Sequence, residues 1–211
     1  APASAEQEAL SLQQQGKTAV FVSADGETIG VIGSADRVRP EVAQAFRELR
    51  QLGIQRIIMV TGDTERVAAN LAQSLGIEYV AGALPDDKMS LLQRLQVEGR
   101  RVAMVGDGIN DAPALAAADV GIAMGAAGTA AAIEAADIAL MTDDWMQVPA
   151  AVRLSRRTFR TIQQNLFLTA AYNAVGIAMA WVGILPPIVA AAAQSLPDVA
   201  ILLNSSRLLR S

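Results

Sequence analysis

The densest cluster of reactive side chains in this 211-residue chain is Gly106-Asp107-Gly108-Ile109-Asn110-Asp111. It directly follows Arg101–Val105, a run that reads as a strand. Two carboxylates four positions apart at a strand-to-helix turn can point into one pocket, and glycines let the backbone approach a ligand closely. Carboxylate oxygens together with water and phosphate oxygens are what Mg2+ prefers. A second polar turn, Thr61-Gly62-Asp63, offers a hydroxyl and backbone N–H groups at a helix start, which suits an anionic phosphate. Lys88, after Pro85-Asp86-Asp87, adds an ammonium that can neutralise the same phosphate as a point charge. Mg2+, an ammonium and oriented N–H groups are the parts phosphoryl transfer needs, since its catalysis is mostly positioning and charge neutralisation. Taken singly, Thr61-Gly62-Asp63 also reads as a plain helix cap and Lys88 as a solvated surface charge. Their order on one strand–helix ladder is what joins them.

The ladder runs from Arg39 to Met141. Arg56–Val60, Glu78–Ala81, Arg101–Val105, Val120–Met124 and Ile138–Met141 read as short strands. Thr64–Leu75, stopped by Gly76, Asp86–Glu98, stopped by Gly99, and Thr129–Ala136 read as helices between them. Alternation at this spacing predicts parallel βαβ units, an α/β fold with helices covering a sheet. Ligands of such sheets bind outside the carboxyl ends of the strands, where Thr61-Gly62-Asp63 and Gly106-Asp107-Gly108 fall. Residues 1–35 differ: a Gln-rich helix, Glu6–Gln15, precedes two alternating runs, Thr18–Ser23 and Thr28–Ile32, joined through Asp25-Gly26. Asp-Gly between alternating segments is a strong hairpin signal.

The lower end of the chain is of another kind. Between Arg160 and Arg207 the only carboxylate or ammonium is Asp198. Two apolar runs, about 165–183 and 184–203, are separated by Pro186-Pro187, and each is close to the ~20 residues that cross a hydrocarbon core. Trp181 suits an interface, and arginines at 153, 156, 157, 160, 207 and 210 flank the pair, which places both ends on the cytoplasmic side. The expectation is a two-helix transmembrane hairpin, entered through a basic amphipathic helix from Trp145 to Gln164. The first residues, Ala-Pro-Ala-Ser, carry no signal-peptide pattern.

Composition closes other routes. With no His and no Cys, zinc sites of the usual kind, disulfides, a cysteine nucleophile and a Ser-His-Asp arrangement are excluded. A net charge of −4 with 52% hydrophobic residues argues against disorder, and the acidic balance gives no reason to expect nucleic acid as a partner.

Residue by residue, the chain resembles the phosphorylation domain and last membrane helices of heavy-metal-transporting P-type ATPases, within the haloacid-dehalogenase-like superfamily. The resemblance rests on Met59-Val60-Thr61-Gly62-Asp63, on Val105-Gly106-Asp107-Gly108-Ile109-Asn110-Asp111-Ala112-Pro113, on Ala118-Asp119-Val120-Gly121 and on Tyr172-Asn173 and Asn204-Ser205-Ser206-Arg207. It implies a haloacid-dehalogenase-type parallel sheet whose first, nucleophile-bearing strand is absent here. It implies that Asp107 ligates Mg2+ with support from Asp111, that Thr61 and Lys88 hold the phosphoryl group with Asn110 in the same catalytic loop, and that Gly62-Asp63 shape the loop coupling it to domain movement. Residues 1–35 would be the tail of a nucleotide-binding domain, 36–150 a partial phosphorylation domain, and 151–211 a linker helix and the two membrane helices. ATP would bind mainly through the missing nucleotide domain. The implied partners are a transition-metal cation as substrate, a lipid bilayer and the N-terminal half of the same transporter; the implied place is a bacterial plasma membrane.

Departures from the family pattern are equally legible. The phosphorylated aspartate of the family lies in Asp-Lys-Thr-Gly-Thr, which does not occur here; Asp25-Gly26-Glu27-Thr28 is a turn and no substitute. The fragment alone is therefore expected to be inactive. Where many relatives have Gly-Ser-Gly-Thr-Asp, this chain has Gly125-Ala126-Ala127-Gly128-Thr129-Ala130. Copper transporters of the family carry Tyr-Asn in the first membrane helix and a Met…Ser-Ser pattern in the second; here the second reads Gln194-Ser195-Leu196-Pro197-Asp198. An ionisable residue in a membrane helix is costly and by default functional, and carboxylate and amide oxygens suit harder divalent ions better than Cu+. Asp198, with Gln194, Asn173 and Tyr172, is expected to line a divalent-cation path, zinc-like rather than copper-like. A reading of a different class is a membrane-tethered, catalytically silent phosphate- and Mg2+-binding regulatory module.

Overall fold

The computed structural model describes residues 3–14, 17–34, 39–106, 109–125, 130–184, 186, 188–189, 193 and 195–210. The chain divides into two compact units, Ala1–Pro149 and Ala150–Ser211.

The first unit begins with helix α1 (Ala3–Gln14) and an antiparallel hairpin of β1 (Thr18–Ala24) and β2 (Glu27–Ser34). Asp25 and Gly26 both take left-handed backbone, φ 51° and 82°, the geometry of the tight turn that Asp-Gly favours. Helix α2 (Pro40–Gln51) starts on a proline whose fixed φ pre-organises the first turn. It buries Val42, Ala45, Phe46 and Leu49, an i, i+3, i+4, i+7 stripe. Phe46 meets Trp145 edge-on, with ring centroids 5.5 Å apart. At the start of α2, Arg39 donates to the backbone oxygen of Asp143 at 2.6 Å and to its carboxylate at 3.2 Å. This helix and its anchor to residues 143–145 were not singled out from the sequence.

From there strands and helices alternate as expected: β3 (Ile58–Val60), α3 (Glu65–Leu75), β4 (Glu78–Val80), α4 (Pro85–Val97), β5 (Ala103–Gly106), α5 (Ala112–Ala117), β6 (Val120–Met124), α6 (Ala130–Ala135) and β7 (Ile138–Leu140). Gly76 ends α3 with φ 62°, the left-handed cap expected of a helix-stopping glycine. All pairings in this ladder are parallel: β3 with β4, and β5 with β6 with β7. They form two sheets rather than one. Residues of both β3 and β5 wall a cavity of about 460 Å3, lined by Ile58, Val60, Ala103, Met104, Leu92 and Lys88 among others.

The tightest packing lies under β6, where Leu115 and Ala123 are buried against Met104, Ala135 and Ala136. A Cβ on Gly121 would stand 2.5 Å from the carbonyl oxygen of Leu115, so only glycine lets α5 and β6 approach this closely.

The second unit contains most of α7 (Gln147–Trp181), one continuous 35-residue helix, and α8 (Leu196–Ser205), ten residues long. The continuous helix from the basic segment into the first apolar run agrees with the sequence reading. The two spans are not confirmed. Among the described residues no helix is both long and apolar enough to cross a membrane. In α7 the amides Gln163, Gln164, Asn165 and Asn173 dilute the apolar run. The regular part of α8 covers only about 15 Å at 1.5 Å per residue, half of a hydrocarbon core. Leu185, Pro187, Ala190–Ala192 and Gln194 of the second run lie outside the described residues.

Candidate functional site

The site is built at the carboxyl ends of β3 and β5. β3 runs into Thr61, whose N–H donates to the carbonyl of Val80 at 3.0 Å; Ala83 N–H donates to the Thr61 carbonyl at 2.9 Å and Gly82 N–H to that of Asp63 at 2.8 Å. The two loops after β3 and β4 therefore hold one another. Within the turn, the Thr61 hydroxyl donates to the Asp63 carboxylate at 2.8 Å and accepts from the Asp63 N–H at 3.1 Å. Thr61-Gly62-Asp63 is thus a closed hydroxyl–carboxylate turn, and the hydroxyl must swing from Asp63 to reach any other oxygen.

Lys88 is delivered by the first turn of α4. Pro85 opens that helix and the Asp87 carboxylate accepts from the N–H of Leu84 at 2.9 Å, satisfying one of the orphan donors of the helix start. The Lys88 ammonium lies 2.6 Å from an oxygen of Asp111, and the two side chains are only 18% and 13% exposed. Asp111 stands at the cap position of α5 and folds back on β5: a Cβ on Gly106 would come within 2.8 Å of its Cβ and of one carboxylate oxygen. The sequence reading gave the glycines of this turn to ligand approach. For Gly106 the structure gives a nearer reason, because it makes room for Asp111. Asn110 is exposed in the single 3-10 turn Ile109–Asp111. Asp107 and Gly108 lie outside the described residues.

The structure therefore joins Lys88 to Asp111 and Thr61 to Asp63, and sets Lys88 on the wall of the cavity that β3 and β5 also wall. In the second unit, the Tyr172 hydroxyl donates to the carbonyl of Ala193 at 2.7 Å, which spends it on backbone. Asn173 and Asp198 are both exposed, and Gln194 lies outside the described residues. Among the described residues no three His, Cys, Asp or Glu side chains cluster as a metal site.

One carboxylate whose place the sequence did not specify is Asp119. It accepts from the N–H of Val102 at 3.0 Å, from Arg101 at 2.8 Å and from Gln96 at 3.3 Å, binding the start of β5 to the turn before β6. These bonds, the backbone N–H of Val102 first and then the Arg101 guanidinium, hold its carboxyl below the usual range. A carboxyl lowered in the folded state stabilises the fold above its unfolded pKa, and that contribution fades as pH falls through the folded value. Asp119→Asn is expected to lower the melting temperature by a few degrees near neutrality and to shrink the difference from the parent below about pH 4. Thermal melts at pH 7 and at acid pH check this; an equal deficit at both would contradict the assignment.

Residues 3–119 match the haloacid dehalogenase-like hydrolase family. The chain belongs to that family.

Over most of its length this haloacid dehalogenase-like chain is also homologous to heavy-metal P-type ATPases. It is 48% identical over 203 residues to a probable copper-exporting P-type ATPase V of Mycobacterium tuberculosis, covering 96% of this chain and 26% of that protein. A zinc-exporting P-type ATPase of Mycobacterium marinum is 46% identical over 200 residues, 94% of this chain and 27% of its own. A manganese-exporting P-type ATPase of Mycobacterium bovis is equally similar, at 46% over 200 residues and 28% of its own length. The crystal structure of a zinc-transporting PIB-type ATPase in its E2.Pi state superposes with a TM-score of 0.84 and 36% identity, covering 99% of this chain and 34% of that one. The chain thus spans about a quarter of the length of the curated relatives it matches.

A haloacid dehalogenase-like P-type ATPase domain implies Mg2+ and ATP in general. The described donors fit Mg2+ on their chemistry: a nearly buried carboxylate, Asp111, at a strand end. Mg2+ is usually held by one or two carboxylates plus phosphate and water oxygens rather than by a full protein cage, so a three-acid cluster is not required.

Proposed function

We propose that this chain is the C-terminal part of an ATP-driven transition-metal cation pump that works through an aspartyl phosphate. The observation that carries the reading is the partly buried Lys88–Asp111 pair, whose lysine lines the cavity that β3 and β5 also wall. A further parallel strand entering that cavity would end between Thr61 and Gly106, and an aspartate there would meet the charges phosphoryl transfer needs. Residues 1–35 then form the tail of the nucleotide-binding domain, 36–150 the partial phosphorylation domain, and 151–211 the linker and membrane helices.

In this reading an oxygen of that aspartate attacks the γ-phosphorus of ATP, the bond to the ADP oxygen breaks, and the acyl phosphate is later split by water. Thr61 releases Asp63 and donates its hydroxyl to a phosphoryl oxygen. Lys88 neutralises charge on the transferring group, and Asn110 and Gly62-Asp63 shape the surrounding loops. Asp107 and Asp111 would hold Mg2+, which supplies charge neutralisation at the phosphate oxygens when bound.

The membrane assignment is supported by the second unit's outward apolar side chains, Phe167 at 73% and Trp181 at 90% exposed among them, because contiguous exposed apolar surface needs a partner. The pump sits in a bacterial plasma membrane with both ends of this chain cytoplasmic. For the cargo, Asp198 and Asn173, together with Gln194 by its place in the sequence, offer oxygen donors that favour a divalent ion over Cu+. In α7, Asn173 is one residue, about 100°, past Tyr172, and Asp198 is one residue past Pro197 in α8. Tyr172 and Pro197 line the same interhelical cavity, and in an antiparallel pair such next residues turn to the same flank. Tyr172, bonded to Ala193, ties the helix pair beside that path.

The test is phosphorylation of the full-length protein by γ-labelled ATP with Mg2+ and Zn2+. An acid-stable, hydroxylamine-labile phosphoprotein is the expected result. Binding of Mg2+ and phosphate with no such product would instead favour the silent regulatory module.

A further inference from the structure

The two helices of the second unit are held by polar contacts at three levels. The Arg157 guanidinium donates to the carbonyl of Arg207 at 2.8 Å. Asn165 donates through its amide nitrogen to the Ser205 hydroxyl at 3.1 Å, while its amide oxygen accepts from Asn204 at 2.8 Å. The Tyr172 hydroxyl donates to Ala193. Partners rise on one helix as they fall on the other, so α7 and α8 run antiparallel. The three α7 positions are eight and seven residues apart, the near-heptad spacing that keeps a single face toward a partner helix.

Two features make the middle level more than packing. Asn165 is satisfied on both ends of its amide by two successive residues of α8, a geometry that a shift of one residue along the helix would break. Between this level and Tyr172 the helices leave a cavity of about 470 Å3, lined by Leu168, Tyr172 and Val175 on α7 and by Leu196, Pro197 and Ile201 on α8. Apolar contact there is too open to fix the register. Asp198 lies in that loosely packed stretch, so its depth is set from the ends, by Asn165 on one side and Tyr172 on the other. At the far end, Arg157 donates to the carbonyl of Arg207 in the turn just past the C-terminus of α8, where a cation is favourable.

We propose that Asn165, with Asn204 and Ser205, is a polar clasp that fixes the register of α8 on α7 and through it the position of Asp198. Asn165 is a positioning residue for the transported cation, an inference that rests on the pump reading above. In an apolar surrounding, interhelical amide bonds add a directional contribution to packing in specifying which turn of one helix meets which turn of the other.

The experiment measures metal-stimulated ATP hydrolysis of the full-length protein as a function of Zn2+ concentration. Asn165→Leu is expected to raise the half-maximal Zn2+ concentration about three- to tenfold while the maximal rate changes less than about twofold. The exchange Asn165→Ser with Ser205→Asn rebuilds the contact from the other side and is expected to restore the parent value. A normal Zn2+ dependence in Asn165→Leu, a loss confined to the maximal rate, or failure of the exchange to restore would overturn the positioning role. The pairing itself is judged separately in this cysteine-free chain: Asn165→Cys with Ser205→Cys closes a disulfide on mild oxidation, and Asn165→Cys with the outward Leu202→Cys does not. No cross-link in the first pair refutes the clasp. If the unsubstituted protein shows no metal stimulation, the pump reading and the cation role fall together, and the cross-link then decides the helix pairing alone.

Discussion

Lys88→Met in the full-length protein is expected to cut phosphoenzyme formation from ATP by about 100- to 1,000-fold, the usual loss when one preorganised charge is removed from a transition state. The Lys88 ammonium is the only cation the described structure places against Asp111, and it stands on the wall of the cavity where a nucleophile strand would enter. Its removal acts twice. The transferring phosphoryl group loses a compensating charge, and Asp111 loses its partner in a site only 13% exposed. Breaking a fully buried pair costs about 3–5 kcal/mol; with the residual exposure here, about 2 kcal/mol of stability is expected to be lost. Asp111→Asn in the same background separates the two effects. The double variant removes the unpaired carboxylate and is expected to regain most of the stability, while phosphorylation stays at the level of the single variant or below. Arginine at position 88 is not a conservative replacement, because a planar fork cannot take the place of a compact ammonium in so narrow a contact. Radiolabelled phosphoenzyme yield and thermal melts of the three variants check this. Near-normal phosphorylation in Lys88→Met would remove Lys88 from the site.

Much of this arrangement was legible in the residues, for identifiable reasons. Gly76 and Gly99 stop helices because left-handed caps favour glycine, and Asp25-Gly26 makes a tight turn because both positions need positive φ. These are local rules, and they held within one to two residues. The pairing of Lys88 with Asp111 was not legible, since it joins residues 23 apart in sequence through the packing of α4 beside α5; only a shared phosphate suggested they would be near. Thr61 is expected to face a phosphate, and the structure bonds its hydroxyl to Asp63, two residues on, a local side-chain contact that Thr and Asp in one turn readily form. Helix α2 carried a clear i, i+3, i+4, i+7 stripe that could have been read. Its anchor, Arg39 on Asp143 across 104 residues, had no sequence signal. Apolar content suggests the membrane hairpin, which the described residues do not confirm: amides at 163–165 and 173 lower the apolarity of α7, and for Asn165 the partners Asn204 and Ser205 on α8 give the reason it is there.

Asp198→Ala is expected to weaken the metal dependence of ATP hydrolysis in the full-length protein by about 100-fold or more, beyond what loss of a supporting group alone would cost. The argument starts from scarcity. Asp198 is the only carboxylate between Arg160 and Arg207, and it projects from the first turn of α8 without being consumed by the clasp at Asn165 or by the Tyr172 bond. A charged group on a helix with an otherwise apolar surface must be met by a counter-ion, by water or by a cation in passage. Among the described residues no three-acid cluster is present, so in the proposed path Asp198 is the one charged donor, beside the amide oxygens of Asn173 and Gln194. Asp198→Asn keeps the size and an oxygen donor but loses the charge, and it is expected to fall between the parent and alanine for Zn2+ or Mn2+. For Cu+, which draws little from hard oxygen donors, both variants are expected to behave alike. Titrating each variant with Zn2+, Mn2+ and Cu+ under reducing conditions separates these cases. Equal stimulation of parent and Asp198→Ala by the divalent ions would take the cation path away from α8, and stronger stimulation of the parent by Cu+ than by Zn2+ would reverse the order of metals.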